Sequence, residues 1–424
     1  MIKIDFPNYS DISSASIPKK LLIDIVQPKI KSNPETTNSK IIKSGLEQPI
    51  NSPGLKDLIK KGQKILIIVD DYTRTTPTNL ILPILMEELL RAGISRKEIK
   101  LLVASGTHRE MSHEEKKKKY GKDIVNNYEI LDHNWRDDKS LVKLDTTKQG
   151  TEIWINKEVL KADFVIGIGQ IVPHRVAGFS GGSKIIQPGV CGPITTGQTH
   201  WLSAKYEGCE IIGKIDNPIR QEINEIGEAV GLKFIVNTIC DGLGNIFKCV
   251  CGEPVKTFEE GCKSALDIYG VPLTAKGDIV IVDSFPADIE LWQAAKGIYS
   301  GDLALKPDGV LILVSPCTEG VSAEYPNIID IGYRSFPEIE DMVENGKLIN
   351  LTLAAHLAHV GRVIQGKRTG ILVSPGIPKN IAEKLGFYYA KTVQDALELA
   401  LKIKDNDAKV VVIKNGGSLM PIIK

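Results

Sequence analysis

No stretch of this chain is apolar enough to cross a membrane: runs such as ILIIV and LILPILM fall well short of the ~18 residues that a span requires. The start, MIKIDFPNYS, lacks a basic segment followed by an apolar one, so no export leader is expected. Neither sign of charge is in excess. With 53 basic and 52 acidic residues the net charge is +1, which leaves no field to draw the chain to nucleic acid or to an anionic membrane. Cysteine is sparse: the seven are odd in number and scattered, which argues against a disulfide framework. Cys249 and Cys251 form C-V-C, not C-x-x-C, and without a second pair they are expected to pack in a strand. The chain also lacks His-x-x-x-His, a strand followed by G-x-G-x-x-G, low-complexity tracts and repeats of 20 to 50 residues. These absences point to a cytoplasmic protein with a small-molecule partner and speak against an ordinary nicotinamide dehydrogenase, an alternative that net keto acid production with soluble NAD would revive.

What is present is a long alternation of β-branched runs with amphipathic stretches, the pattern of parallel α/β units. KILIIVD at 64–70, IKLLVASG at 99–106 and DFVIGIGQIV at 163–172 read as strands, and TNLILPILMEELLRAG as a helix closed by Gly93. After VPLTAKGD the pattern restarts with DIVIVDSF, GVLILVSPC and RTGILVSPG. A chain of 424 residues exceeds one usual hydrophobic core. The expectation is two α/β domains with mostly parallel sheets, 1–272 and 273–424, and an active-site cleft between them. The last run, KVVVIKNGG at 409–417, can close either sheet. The charge run EEKKKKYGKD reads as a solvated helix face.

In parallel sheets ligands bind beyond the carboxyl ends of strands. Three strands here end in polar clusters: Asp71 to Pro77 around Arg74, Ser105 to Arg109 around His108, and Gln170 to His174. Arg74 can grip a carboxylate with its planar fork, with Asp71 to hold it, although a surface turn capped by Asp and Thr has the same composition. His108 and His174 titrate near neutrality, so two of them facing one substrate make an acid/base pair.

Residues 170–204 hold His174, Lys184, His200 and a Gly/Ser loop in one polar stretch. The three basic residues are too far apart for one helical face, so they meet only if the chain folds back around something bound. Ser180, Gly181 and Gly182 invite comparison with a phosphate-binding loop, but the chain reads Gly182-Ser183-Lys184-Ile185, with no hydroxyl after the lysine for magnesium. A phosphate of another cofactor can still use the nest, and Lys184 can bind or covalently hold that cofactor. His200 can ligate a borderline metal, whose other ligands must come from elsewhere. In the second half, Gln293 and Lys296 lie i, i+3 on a short helix, while His356 and His359 sit in apolar LAAHLAHVG and read as packing.

Taken together, D-Y-T-R-T-T-P at 71–77, S-G-T-H-R at 105–109, P-H-R-V-A-G-F-S-G-G-S-K at 173–184, His200 and Q-A-A-K at 293–296 resemble the nickel-pincer lactate racemases and their 2-hydroxy acid racemase relatives, over essentially the full length. The resemblance implies nickel held by a pyridinium-3,5-bisthiocarboxylic acid mononucleotide, attached covalently through Lys184, with His200 as the protein's nickel ligand. It implies His108 and His174 as acid/base residues, Arg74 and Lys296 on the substrate's oxygens, Asp71 orienting Arg74, and Gln293 touching substrate. Cofactor-maturation proteins would be partners. The chain departs from the lactate enzymes of that group at Trp292, where tyrosine stands, and over 353–359, which lacks an aromatic. A larger or more polar 2-hydroxy acid is therefore an alternative to lactate, and a non-catalytic carrier of the cofactor is another.

Overall fold

Every residue of Ile65–Asp70 and of Phe164–Gln170 is buried, as it must be for strands covered by helices on both faces. They form the centre of a six-stranded sheet in the computed structural model, which describes residues 1–6, 9, 14–31 and 36–424. The order across this sheet is Ile246–Gly252, Leu232–Cys240, Phe164–Gln170, Ile65–Asp70, Ile99–Ala104 and Glu129–Asp132, all parallel except the first pair. Apolar clusters fill both of its faces. Cys249 and Cys251 lie buried in its antiparallel edge strand, their sulfurs 3.8 Å apart, and all seven cysteines are free.

The second sheet is parallel throughout: Tyr388–Ala390, Thr369–Val373, Leu305–Val314, Gly277–Asp283, Val410–Ile413 and Leu22–Val26. One placement settles an alternative that the sequence leaves open, and another differs from expectation. The run at 409–417 does not return to the first sheet, because Val410–Ile413 pairs with Gly277–Asp283 on one side and Leu22–Val26 on the other. Leu22–Val26 leaves the segment 1–272 and takes the edge of the second sheet, where its half-buried pattern suits a strand covered on one side. We therefore propose that the second domain includes the first 26 residues.

Each sheet reverses its strand order once. In the first, successive strands run outward from Ile65–Asp70 and then resume on its other side at Phe164–Gln170; in the second, the reversal falls between Gly277–Asp283 and Val410–Ile413. Crevices form at such reversals, since the connections leave the strand ends in opposite directions. The two crevices face each other. No helix among the described residues is long and apolar enough to cross a membrane.

The helix Leu351–Ile364 packs between the lobes, against Pro193–Ala204 and Leu291–Ala304. Gly361 makes its close approach possible: a Cβ there would lie 1.7 Å from the backbone oxygen of Arg334. Helix propensity alone favours alanine over glycine by up to ~1 kcal/mol. Gly361→Ala is nevertheless expected to lower the thermal midpoint, overpacking of this kind costing roughly 1–3 kcal/mol. A raised midpoint would show that the turn at Arg334 yields freely.

Candidate active site

The strand Ile65–Asp70 delivers Asp71 and Arg74 to the first crevice, and a network of charges fixes the turn that carries them. Thr76 donates to the buried carboxylate of Asp70. Lys119 places its Nζ 3.2 Å from Asp70 and donates to the carbonyls of Arg74 and Thr76 at 2.5 and 3.1 Å. The expected solvated face is thus only partly solvated: Lys119 turns inward because the loop offers a carboxylate and two carbonyls.

Asp71 holds His108, not Arg74. Its Oδ2 lies 2.6 Å from His108 Nδ1, and its Oδ1 accepts from the Thr73 hydroxyl and amide at 2.6 and 3.1 Å. The guanidinium of Arg74 is linked to the Asp71 carboxylate through Thr73, to whose hydroxyl it donates at 3.1 Å. Burial would raise the Asp71 pKa, but the charge and hydrogen bond of His108, with Arg74 and Thr73, outweigh it and hold the carboxyl well below its usual range. An ionised Asp71 fixes the proton of His108 on Nδ1, which leaves Nε2 with a lone pair. That lone pair accepts from Gln293 Nε2 at 3.1 Å, and Gln293 Oε1 accepts from Lys296 at 2.8 Å. Four side chains from two lobes therefore form one chain of hydrogen bonds.

His174 has the opposite polarity. Its Nδ1 accepts from the amide of Val176 at 3.1 Å, so the proton of the neutral ring lies on Nε2. Burial, then the charges of Lys184, Arg74, Lys296 and His200, push its pKa well down. His200 lies on the helix Pro193–Ala204 and is bonded through Nδ1 to the carbonyl of Thr196 at 2.8 Å. The Nδ1 proton points back along the helix, and Nε2 is free to ligate. Burial chiefly, and Lys184 next, bring its pKa to about 3.

The three basic residues of 170–204 do meet. His174, Lys184 and His200 line one cavity of about 170 Å³, which Arg74, His108 and Lys296 also reach. A second cavity of about 470 Å³ adjoins it at Arg74, His174 and Lys296 and opens toward the crevice of the second sheet. Across the rim, Arg109 joins Glu115 at 2.8 Å to Glu319 of the other lobe at 3.1 Å, with its guanidinium stacked on Tyr72.

The Gly/Ser loop is less available than its composition suggests. Ser180 donates to the Gln170 carbonyl at 2.6 Å and accepts from the Val172 amide at 3.0 Å; the Gly182 amide is taken by Asn237 Oδ1 at 2.8 Å. Ser180 and Gly181 line the cavity, but Gly182 does not. At both glycines φ is positive, and a Cβ would meet Asn237 or Phe258 at 3.0 Å or less. The expected phosphate nest is thus largely filled by the protein itself. Its clamp is Arg220, buried on the helix Pro218–Ala229, which donates to the carbonyls of Ala177, Phe179 and Gly181.

The residues fit a tethered metal cofactor. Lys184 is buried, has no hydrogen-bond or ion-pair partner among the described residues, and is driven well below its ordinary pKa by burial and then by Arg74 and Arg220. That shift favours the neutral, nucleophilic form of its amine. No group of three or more His, Cys, Asp or Glu among the described residues can hold a metal, so an ion bound at His200 needs donors that arrive with the cofactor.

The family models for the lactate racemase N-terminal and C-terminal domains match residues 10–210 and 273–421. The chain belongs to the lactate racemase family. It is 31% identical to the lactate racemase of Lactiplantibacillus plantarum, covering 92% of this chain and 93% of that one, and 29% identical to that of Thermoanaerobacterium thermosaccharolyticum, covering 99% of each. The fold matches the lactate racemase apoprotein from the latter organism with a TM-score of 0.85 at 28% identity, over 100% of this chain and 99% of that one. A Thermotoga maritima protein, 22% identical with a TM-score of 0.76 over 93% of this chain and all of its own, shares the fold.

The state of Lys184 yields a linkage test. Its folded pKa lies below the unfolded value of 10.5, so the unfolded chain binds more protons at neutral pH and the lysine lowers stability there. That loss fades as pH rises through 10.5. Lys184→Met is expected to raise the thermal midpoint of cofactor-free protein at pH 7 by roughly 2 °C or more, with the gain shrinking toward alkaline pH. A lower midpoint in the variant would mean that the amine is held by a partner.

Proposed function

We propose that the protein interconverts the D and L forms of a small 2-hydroxy acid, with lactate as the reference substrate, using a nickel-bearing pyridinium mononucleotide joined to Lys184. The observation that carries the reading is the convergence of His108 and His174, in opposite hydrogen-bonding polarity, on the cavity that also receives Lys184 and the free Nε2 of His200. His200 would be the nickel ligand. When bound, the cofactor supplies a hydride acceptor and donor for the carbinol carbon, which spares the protein the abstraction of a very weakly acidic C–H.

The protein's own groups do the rest. Arg74, whose fork has only the Thr73 hydroxyl for company, holds the substrate carboxylate, and Lys296 holds an oxygen beside it. Nε2 of His108 takes the hydroxyl proton once the substrate displaces the amide of Gln293, while Asp71 stabilises the imidazolium. His174 serves the other face of the planar keto acid. To accept a proton at Nε2 its ring must release the amide of Val176. Burial is the chief cause of its depressed pKa; of the charges that add to it, that of Arg74 is neutralised when the substrate carboxylate binds. Ser180 and Gly181 would border the cofactor, and other proteins would assemble it. The seven free thiols support a cytoplasmic setting.

The test is chiral chromatography of lactate and other 2-hydroxy acids after incubation with cofactor-loaded protein. His108→Ala and His174→Ala are each expected to slow interconversion by about 100-fold or more. Near-normal rates in either would remove that residue from the mechanism. Lys184→Ala is expected to abolish the cofactor's mass increment on intact protein. Retained nickel with no turnover across the panel would favour a carrier.

A further inference from the structure

Before Arg362 in its last turn, the helix Leu351–Ile364 is apolar except for a stripe at i, i+4 and i+7: Thr352, His356 and His359. All three are nearly buried, and all three line the cavity, so the packing role expected for the two histidines is incomplete. His359 is bonded through Nε2 to the hydroxyl of Ser203 at 3.2 Å. His356 is bonded to the Tyr333 hydroxyl through Nε2 at 3.2 Å, but its Nδ1, like the Thr352 hydroxyl, has no partner among the described residues. Neither atom is among the fully buried unpaired ones, so both are left available on a wall of the cavity, an arrangement that a wall built only to touch a methyl group would not need.

The wall is rigid and adjoins the substrate. His356 stacks on Trp292 with ring centroids 3.8 Å apart and planes 13° from parallel, and Tyr325 covers the indole at 4.5 Å. Trp292 immediately precedes Gln293, the residue that covers the base His108. Thr352, His356 and Tyr333 offer neutral groups only, His356 being kept neutral by burial, which takes its pKa to about 3. A buried second carboxylate would need a cation here; a hydroxyl needs only a donor and an acceptor.

We propose that Thr352, His356 and Trp292 form the subsite for the C3 end of the substrate, and that this end bears a hydroxyl, so the preferred ligand class is a short 2,3-dihydroxy acid. The chemistry assigned to that ligand rests on the racemase reading; its recognition does not. The experiment uses cofactor-loaded protein with glycerate, lactate and malate, measuring calorimetric affinity and chiral interconversion separately. Glycerate is expected to bind at least about tenfold more tightly than either other acid, a discrimination in the range set by one well-placed hydrogen bond. His356→Phe, which keeps the aromatic stack, and Thr352→Val should each reduce the glycerate-to-lactate ratio by about tenfold, while His356→Asn, which keeps an N–H near Nδ1, should retain most of it. Preference for lactate or malate, or a ratio unmoved by both His356→Phe and Thr352→Val, overturns the proposal. Selective glycerate binding without interconversion of any acid would uphold the subsite and sink the racemase; interconversion that favours lactate would do the reverse.

Discussion

Like charges crowd the cleft. Arg74, Arg175, Lys184 and Lys296 share one cavity with five histidines, and its only carboxylates among the described residues, Asp70 and Asp71, are already committed to Lys119 and His108. Burial first, and the repulsion between these groups second, drive Lys184, Lys296, His174 and His200 toward their neutral forms. The same crowding makes Lys184 nucleophilic, leaves His200 able to ligate and reserves the guanidinium of Arg74 for an anion. The electrostatics of the substrate-free cleft are thus complementary to a carboxylate and to an electron-rich cofactor.

Much of this was legible in the chain. Ile65–Asp70, Phe164–Gln170 and Gly277–Asp283 announce themselves as continuous apolar runs because both of their faces are covered, and each ends in a polar cluster because ligands meet strands there. The meeting of His174, Lys184 and His200 was readable for the same reason: a polar stretch directly after a buried strand has to turn back over the sheet. What periodicity could not reveal was partnership. Asp71 precedes Arg74 by three residues and looks like its holder, yet the carboxylate turns to His108, 37 positions away, which competes successfully for it.

The remaining misses share a cause. Lys119 and Arg220 each lie on a helix with other charged residues, and which charge faces inward depends on which carbonyls the neighbouring loop leaves bare. Ser180 and Gly182 have the composition of an anion nest, but the carbonyl of Gln170 and the side chain of Asn237 occupy their donors. Leu22–Val26 is five residues long, and its partner Val410–Ile413 lies almost 390 positions later; no local pattern carries such a pairing.

That first strand has a mechanical consequence. Because Leu22–Val26 belongs to the second sheet, the polypeptide passes between the two lobes twice, once after Val26 and again near Gly270, so the lobe bearing Arg74, His108 and Lys184 is inserted within the other instead of trailing from it. A body held at one point can twist in any direction; held at two, it swings about the line that joins them. The hydrogen bond from Gln293 to His108 and the bridge from Arg109 to Glu319 tie the lobes at two further points, so four links in all set how the two crevices meet.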